Sequence, residues 1–352
     1  MNTLSRRLRV LAPAAALALF STFARADGFA FKDTPGDHLD VLHDGKIIAS
    51  YMYGHDVSTP DLRIEHYKPF LHVFDAEGQA PITKGAGGTL THHRGIFLGW
   101  NKMTVDGKNY DRWSMGGGDQ VHEQFTNQSA GPASATFTSH VRWQGGKPEE
   151  TLIDEERTFT FLPGQGSIYA VIDTESKIKA VLGDTTLNAD PEHSGLHYRP
   201  ADKILRQFTA YLYPKADANP HKDHDYPWFA ETYTLGDKQY SVVMLNPPTN
   251  KPGTVISAYR DYGRFGETWS DTLKKDEMRD IRARFLIAAG DLPSAEVIQQ
   301  AWNEYAGKTE PVPQTTRKNA EKTSFADPNN PKPTDNKPKA EAKPKTEKPA
   351  AQ

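Results

Sequence analysis

Thr91-His92-His93-Arg94-Gly95 places two adjacent imidazoles and a guanidinium within five residues. Gly116-Gly117-Gly118-Asp119-Gln120-Val121-His122-Glu123 follows, with a further imidazole beside a carboxylate. An imidazole moves a proton near neutral pH or binds a metal, and a guanidinium holds a carboxylate or a developing alkoxide. Glycine and small polar residues around both runs set them on or near loops, where chemistry concentrates. In an extended stretch His92 and Arg94 share one face and His93 takes the other. A turn or bulge is therefore needed to bring both imidazoles to one ligand.

Other residues join the candidates. His72 closes Tyr67-Lys68-Pro69-Phe70-Leu71-His72, which reads as a strand entered from a turn. His193 and His197 are four apart, but Pro191, Ser194 and Gly195 argue against a helix offering both to one metal. Residues 190–199 read as an irregular loop that holds Glu192 and His197 as acid/base or lid residues. The candidate catalytic set is His72, His93, Arg94, His122 and His197, which are expected to converge in space. Candidate substrate contacts are His92, Glu123, Glu192, Arg260 and Tyr262. His221-Lys222-Asp223-His224-Asp225 has a metal-like composition, but between Pro220 and Pro227 it reads as a solvated loop.

The elements that must position these residues are overwhelmingly β. Asp44-Gly45, Asp106-Gly107 and Gly236-Asp237 interrupt alternating stretches at residues 41–48, 103–110 and 233–243, as hairpin turns do. Further strands are expected at 135–143, 156–161, 167–174, 207–213 and 281–288, rich in β-branched and aromatic residues. One segment reads as helix. Pro293 and Ser294 open it, and Val297, Ile298, Ala301, Trp302 and Tyr305 share a face. The expected fold is all-β: one large antiparallel β-sandwich over residues 27–307, with a short C-terminal helix on the sandwich edge.

The ends differ from this body. Arg6, Arg7 and Arg9 precede an apolar run at residues 10–20, and Ala24-Arg25-Ala26 follows as a small-x-small cleavage pattern. Residues 1–26 thus read as a signal peptide, which predicts a periplasmic or secreted protein. The apolar run is shorter than the roughly 20 residues a membrane span needs. No cysteine occurs anywhere, so disulfides and thiolate chemistry are excluded. Residues 308–352 are rich in Lys and Pro and nearly devoid of apolar side chains, and read as a disordered tail. The whole chain carries a formal charge of −3. Without its basic leader and tail the body is strongly acidic, which argues against nucleic acid as a partner. The tail is a candidate contact for the cell envelope.

Four motifs occur in a recognisable order: Tyr67-Lys68-Pro69-Phe70-Leu71-His72, His92-His93-Arg94-Gly95, Glu155-Glu156-Arg157-Thr158 and Arg260-Asp261-Tyr262-Gly263. In these the chain resembles a secreted bacterial family often labelled "PmoA-like" or methane oxygenase PmoA. The family pattern usually has a Pro before the paired His, whereas Leu90-Thr91 precedes them here. The resemblance implies a fold similar to the galactose-mutarotase supersandwich and a link to bacterial carbohydrate metabolism. It does not imply methane oxidation. A membrane oxygenase subunit needs several apolar spans, and none follows the leader.

Three functions compete. The first is a carbohydrate-active enzyme in which His and Glu move protons on a sugar or glycoside while Arg94 or Arg260 stabilises negative charge. Trp100, Trp113 and Trp228 would line its cleft, and it requires no cofactor. The second is a metalloprotein using some of His72, His92, His93, His122 and His197, which includes the oxygenase reading. Thirteen His and no Cys suit zinc or copper, but no stretch has strong ligand spacing, so the cofactor is left open. The third is a non-catalytic glycan-binding module. In each case the partner is a carbohydrate or another small molecule.

Overall fold

The computed structural model describes residues 27–88, 90–324, 327 and 329. The expected signal peptide and most of the expected tail lie outside them. Two large sheets face each other. The first has eight strands, in spatial order Phe29–Thr34, His38–His43, Lys46–Met52, Phe70–Val73, Ile96–Trp100, Ser194–Tyr198, Phe265–Thr268 and Val255–Ile256. The second has nine: Thr316–Asn319, Ala210–Tyr213, Trp228–Leu235, Lys238–Leu245, Met278–Ala289, Ile168–Ala180, Thr151–Pro163, Ala135–Gln144 and Gln120–Ala130. A four-stranded sheet of Asp271–Leu273, Thr185–Asn188, Lys102–Val105 and Lys108–Tyr110 sits alongside. The strands pair antiparallel, and the fold is the expected all-β sandwich with a short C-terminal helix.

The hairpins form where expected. Asp44 and Gly45 turn with φ of 50° and 77°, and Asp106 and Gly107 with 45° and 78°. These left-handed pairs match the twist of antiparallel strands. Strict alternation then drives every second side chain inward. Tyr51 meets Phe137 at 5.0 Å between ring centroids, Phe229 meets Phe265 at 4.7 Å and Trp100 meets Trp143 at 6.3 Å, each pair bridging the two sheets. Trp100 is therefore core and lines no cleft.

Four expectations change. The helix Ala295–Ala306 does not close an edge. It lays Ile298 and Trp302 on the outer face of the nine-stranded sheet, over Trp228, Val243 and Leu286. Trp228 is sealed beneath it and donates to Gln299 at 2.8 Å, so it too is removed from any cleft. A second helix, Pro60–His66, went unforeseen, although Thr59 caps it and Pro60 opens it as such residues do. Residues 194–198 form a central strand rather than a loop, because Gly195 and Gly266 allow its neighbours to pack closely. Finally, the expected disorder from residue 308 does not hold at its start. Thr316–Asn319 pairs with Ala210–Tyr213 as an edge strand, where a short polar, charged strand is well tolerated.

Candidate functional site

The outward face of the eight-stranded sheet carries the site. In the Ile96–Trp100 strand, Ile96, Leu98 and Trp100 point into the core, so Phe97 points out. By the same alternation His72 and Phe70 point out from Phe70–Val73, and His197 from Ser194–Tyr198. Gly99 lets the loop over residues 111–118 lie on this face, since a β-carbon there would collide with the Arg112 carbonyl. That loop delivers Trp113, fully buried against Phe97 at 4.7 Å.

Trp113 is the hub of four imidazoles. Its ring lies 4.8 Å from His197, 5.8 Å from His93, 6.4 Å from His193 and 6.5 Å from His92. The turn that the paired His required is present: the His93 N–H donates to the Leu90 carbonyl at 2.9 Å, with Leu90 at φ 56°. It brings His92 and His93 to 4.4 Å of each other. Met115, on the other side of Trp113, is likewise left-handed at φ 61°. Such non-glycine strain persists only where the surroundings enforce it, and it gathers at functional sites.

Cations wall the cluster. Arg199 and Arg264 stand over the Tyr262 ring at 4.7 and 5.8 Å, and that ring stacks on His93 at 6.2 Å. Lys68 donates to the Trp113 carbonyl at 2.8 Å and lies 4.0 Å over Phe97. Glu192 accepts from Arg260 at 2.5 Å and from Arg264 at 3.0 Å. Those two guanidiniums hold its carboxyl down at about 2. It stays ionised and cannot serve as a proton donor.

His92, His93 and His197 are held neutral. Burial, reinforced by Lys68 and His193, lowers His92 to about 3. Burial and Arg264 lower His197 to about 3, and burial with His92 and Arg199 puts His93 well below its ordinary range. Their polar atoms are also unmatched. Among the described residues fourteen buried side-chain nitrogens and oxygens lack a hydrogen-bond partner. Seven of them belong to this one cluster: both nitrogens of His93 and one atom each of His92, His197, Trp113, Arg199 and Arg264. An orphaned buried polar group costs about 1–3 kcal/mol, so the cluster is poorly suited to stability alone. The floor of His93, His197 and Trp113 is sealed. The rim is open, with side-chain exposures of 40% at His193, 34% at Glu192 and 30% at Arg260.

The other candidates lie elsewhere or are already engaged. Arg94 is spent on structure: its guanidinium donates to the carbonyls of Ile64 and Glu65, the last turn of Pro60–His66, and lies 4.3 Å over Tyr67. His72 shares the outer face beside the cluster, bonded to Thr83 at 2.9 Å and lining a cavity of about 150 Å³ with Lys68 and Phe70. His122 does not converge with the others. It sits on the nine-stranded sheet, 2.6 Å from the Ser139 hydroxyl and packed on Tyr53 and Phe125. Glu123 forms a surface pair with Arg142 at 2.7 Å. Asp223, in the polar run at 221–225, braces its own loop through Lys215, Asn219 and Tyr226. No three His, Asp or Glu side chains among the described residues are placed to hold a metal. Sequence reasoning passed over His193, Arg199 and Arg264. The signal for His193 was its closeness to His197: it sits in the turn that leads directly into the Ser194–Tyr198 strand.

Residues 38–303 match the family of unknown function DUF6807. The chain belongs to that family. Nothing in the match supports the PmoA label. No curated protein matches the DUF6807 sequence. Among solved structures it is similar to a heparan sulfate lyase HepC from Pedobacter heparinus, at 12% identity and a TM-score of 0.34. That alignment covers 76% of this chain but 36% of the lyase, so the DUF6807 chain spans about a third of that protein's length. The Slr1438 protein of Synechocystis sp. PCC 6803 aligns at 11% identity and TM-score 0.35, over 76% of this chain and 97% of that one. A galactose mutarotase related enzyme from Lactobacillus acidophilus aligns at 9% and 0.29, over 75% and 97%. No helix among the described residues is long and apolar enough to cross a membrane.

The neutral imidazoles set an acid limit for this DUF6807 member. His92 and His197 sit at about 3, and burial puts His72 and His122 at about 4, against 6.5 for the free side chain. A depressed folded-state value means the unfolded chain binds the proton first. The stabilisation is thus complete above pH 6.5 and is lost as pH falls below it, by up to about 1.4 kcal/mol per pH unit for each His. Urea midpoints are expected to fall steadily between about pH 7 and pH 5. An unchanged midpoint over that range would show the imidazoles to be ordinary.

Proposed function

We propose that this protein is a carbohydrate-active enzyme of the periplasm or cell exterior that removes a proton from carbon next to a sugar carbonyl or carboxylate. The observation that carries the reading is the set of neutral, unsatisfied imidazoles inside a wall of guanidiniums. When the C–H bond breaks, its electron pair moves onto the neighbouring oxygen as an enolate, and half-buried His92 accepts the proton, because the enolate's negative charge offsets the Lys68 and His193 repulsion that keeps this ring neutral in the free protein. Arg199 and Arg264 stabilise the charge that develops. The same wall opposes glycoside hydrolysis, whose transition state is cationic. The rim of His92, His193, Glu192 and Arg260 offers both donors and acceptors to sugar hydroxyls. Epimerisation and lyase cleavage share this first step. Glycan binding without turnover is the competing reading, and it predicts no exchange of carbon-bound hydrogen.

The test is exchange in heavy water. Full-length protein is incubated with hexuronate and keto-sugar oligosaccharides, and deuterium at carbon is read by NMR. Incorporation is expected with the native chain and is expected to drop by about 10²–10⁴ in His92→Gln. Glycosidic cleavage that gives saturated products without carbon-bound deuterium would sink the proposal, whereas an unsaturated product is the mark of proton removal followed by elimination.

A further inference from the structure

The run at residues 116–123 drew attention through His122 and Glu123, yet its structural consequence lies at Asp119. This carboxylate is 4% exposed and takes two hydrogen bonds: from His55 Nε2 at 3.1 Å and from Arg63 at 2.5 Å. A carboxylate only accepts, so Nε2 carries the hydrogen, and in the neutral ring Nδ1 of His55 is an acceptor. His55, Arg63 and Asp119 open onto a cavity of about 370 Å³, a volume in the range of small-molecule sites.

The walls of this cavity are purpose-built. Gly117 and Gly118 form one side, Gly145 and Gly146 the other. Beneath them the fully buried Arg112 spends its guanidinium on the carbonyls of Gln144 at 2.7 Å, Gly145 at 3.2 Å and Gly116 at 3.2 Å, stapling the two loops together. Gly118 has no room for a side chain against Gly145 and Arg112. Val57, 49% exposed, and Pro148 supply an apolar edge at the mouth. Acceptors (Nδ1 and the carboxylate), a donor (the guanidinium) and a small apolar edge together match a ring that bears hydroxyls on a partly apolar face.

We propose that this cavity is a saccharide-binding site in which the His55–Asp119 pair and Arg63 hold the hydroxyls of one sugar ring. It uses none of the imidazoles around Trp113 and stands whether or not the proton-abstraction reading does. The loop at 111–118 runs between the two, with Trp113 at one end and Gly117 at the other. A glycan chain therefore has a second foothold on the same protein.

The experiment is NMR of the full chain carrying nitrogen-15 histidine, titrated separately with methyl β-glucoside, methyl β-galactoside and glucuronate. His55 signals, identified by their loss in His55→Gln, are expected to show hydrogen at Nε2 and to shift saturably with at least one sugar. Asp119→Asn is expected to release that tautomer and abolish the shift. Val57→Trp, a surface change at the mouth, is expected to weaken binding at least about tenfold while leaving the tautomer intact, since it blocks space and breaks no hydrogen bond. The proposal is overturned if no sugar moves His55, if only His92 or His193 signals move, or if Val57→Trp binds as the native chain does.

Discussion

Arg157→Met is expected to lower the unfolding free energy by about 3–5 kcal/mol, the cost of breaking a buried ion pair from one side. Arg157 is 2% exposed and Glu155 1%, and they meet at 2.8 Å through two of the three guanidinium nitrogens, Nε and Nη2. The same guanidinium reaches the Pro69 carbonyl at 3.1 Å and Gln120 at 3.2 Å, so it ties the Tyr67–His72 motif of one sheet to the other. Removing it leaves a carboxylate in the core with the Trp143 indole at 2.7 Å and the Ser176 hydroxyl as its remaining donors. For a domain of this size the melting temperature should fall by on the order of 10 °C. Arg142→Met is the control. Its partner Glu123 is exposed, and a surface pair contributes at most about 1 kcal/mol. Equal effects from the two changes would contradict the buried-pair account. Replacing both Arg157 and Glu155 by apolar residues should restore part of the loss, because the unpaired charge is gone.

This pair shows what in the chain was legible beforehand. Glu155 and Arg157 were visible as a motif, but alternation says only that they share a face, not that the face is the core. The hairpins at Asp44-Gly45 and Asp106-Gly107 were legible because a two-residue turn is a local decision. Helix Ala295–Ala306 was legible for the same reason, through Ser294 and the spacing of Ile298 and Trp302. Its seat on the outer sheet face was not, since that depends also on Trp228 and Val243, in strands more than fifty residues away. The strand at 194–198 was hidden by Gly195, which reads as a loop former and serves here as a close-packing residue. Paired His92 and His93 announced a site, and the need for a turn was deduced from their alternation, though its place at Leu90 was not. Arg94 beside them was misleading. Side-chain type cannot tell a catalytic guanidinium from one that caps a helix, and only the Ile64 and Glu65 carbonyls decide it. Arg199 and Arg264 come from separate strands and loops, so nothing local marked them as a wall around His93.

His93→Phe should separate function from stability in opposite directions. In the folded chain both His93 nitrogens are buried without partners, among the rings of Phe97, Trp113 and Tyr262. A phenyl ring of similar shape satisfies that apolar setting and removes two orphaned groups, which predicts a gain of about 1–3 kcal/mol in unfolding free energy. It also removes the imidazole set edge-on behind His92, at 4.4 Å, which positions that ring. Deuterium incorporation into substrate should therefore collapse by about 10²-fold or more while the protein becomes harder to unfold. Isotope exchange and urea denaturation on the same preparation check both halves. A structural histidine would behave otherwise: losing it would destabilise the fold and spare exchange in whatever protein remained folded. Lost exchange with raised stability has a single physical reading, in which binding energy is stored at His93 as unmet hydrogen bonds. That result would also explain why half of the unmatched buried polar atoms gather on one face of one sheet.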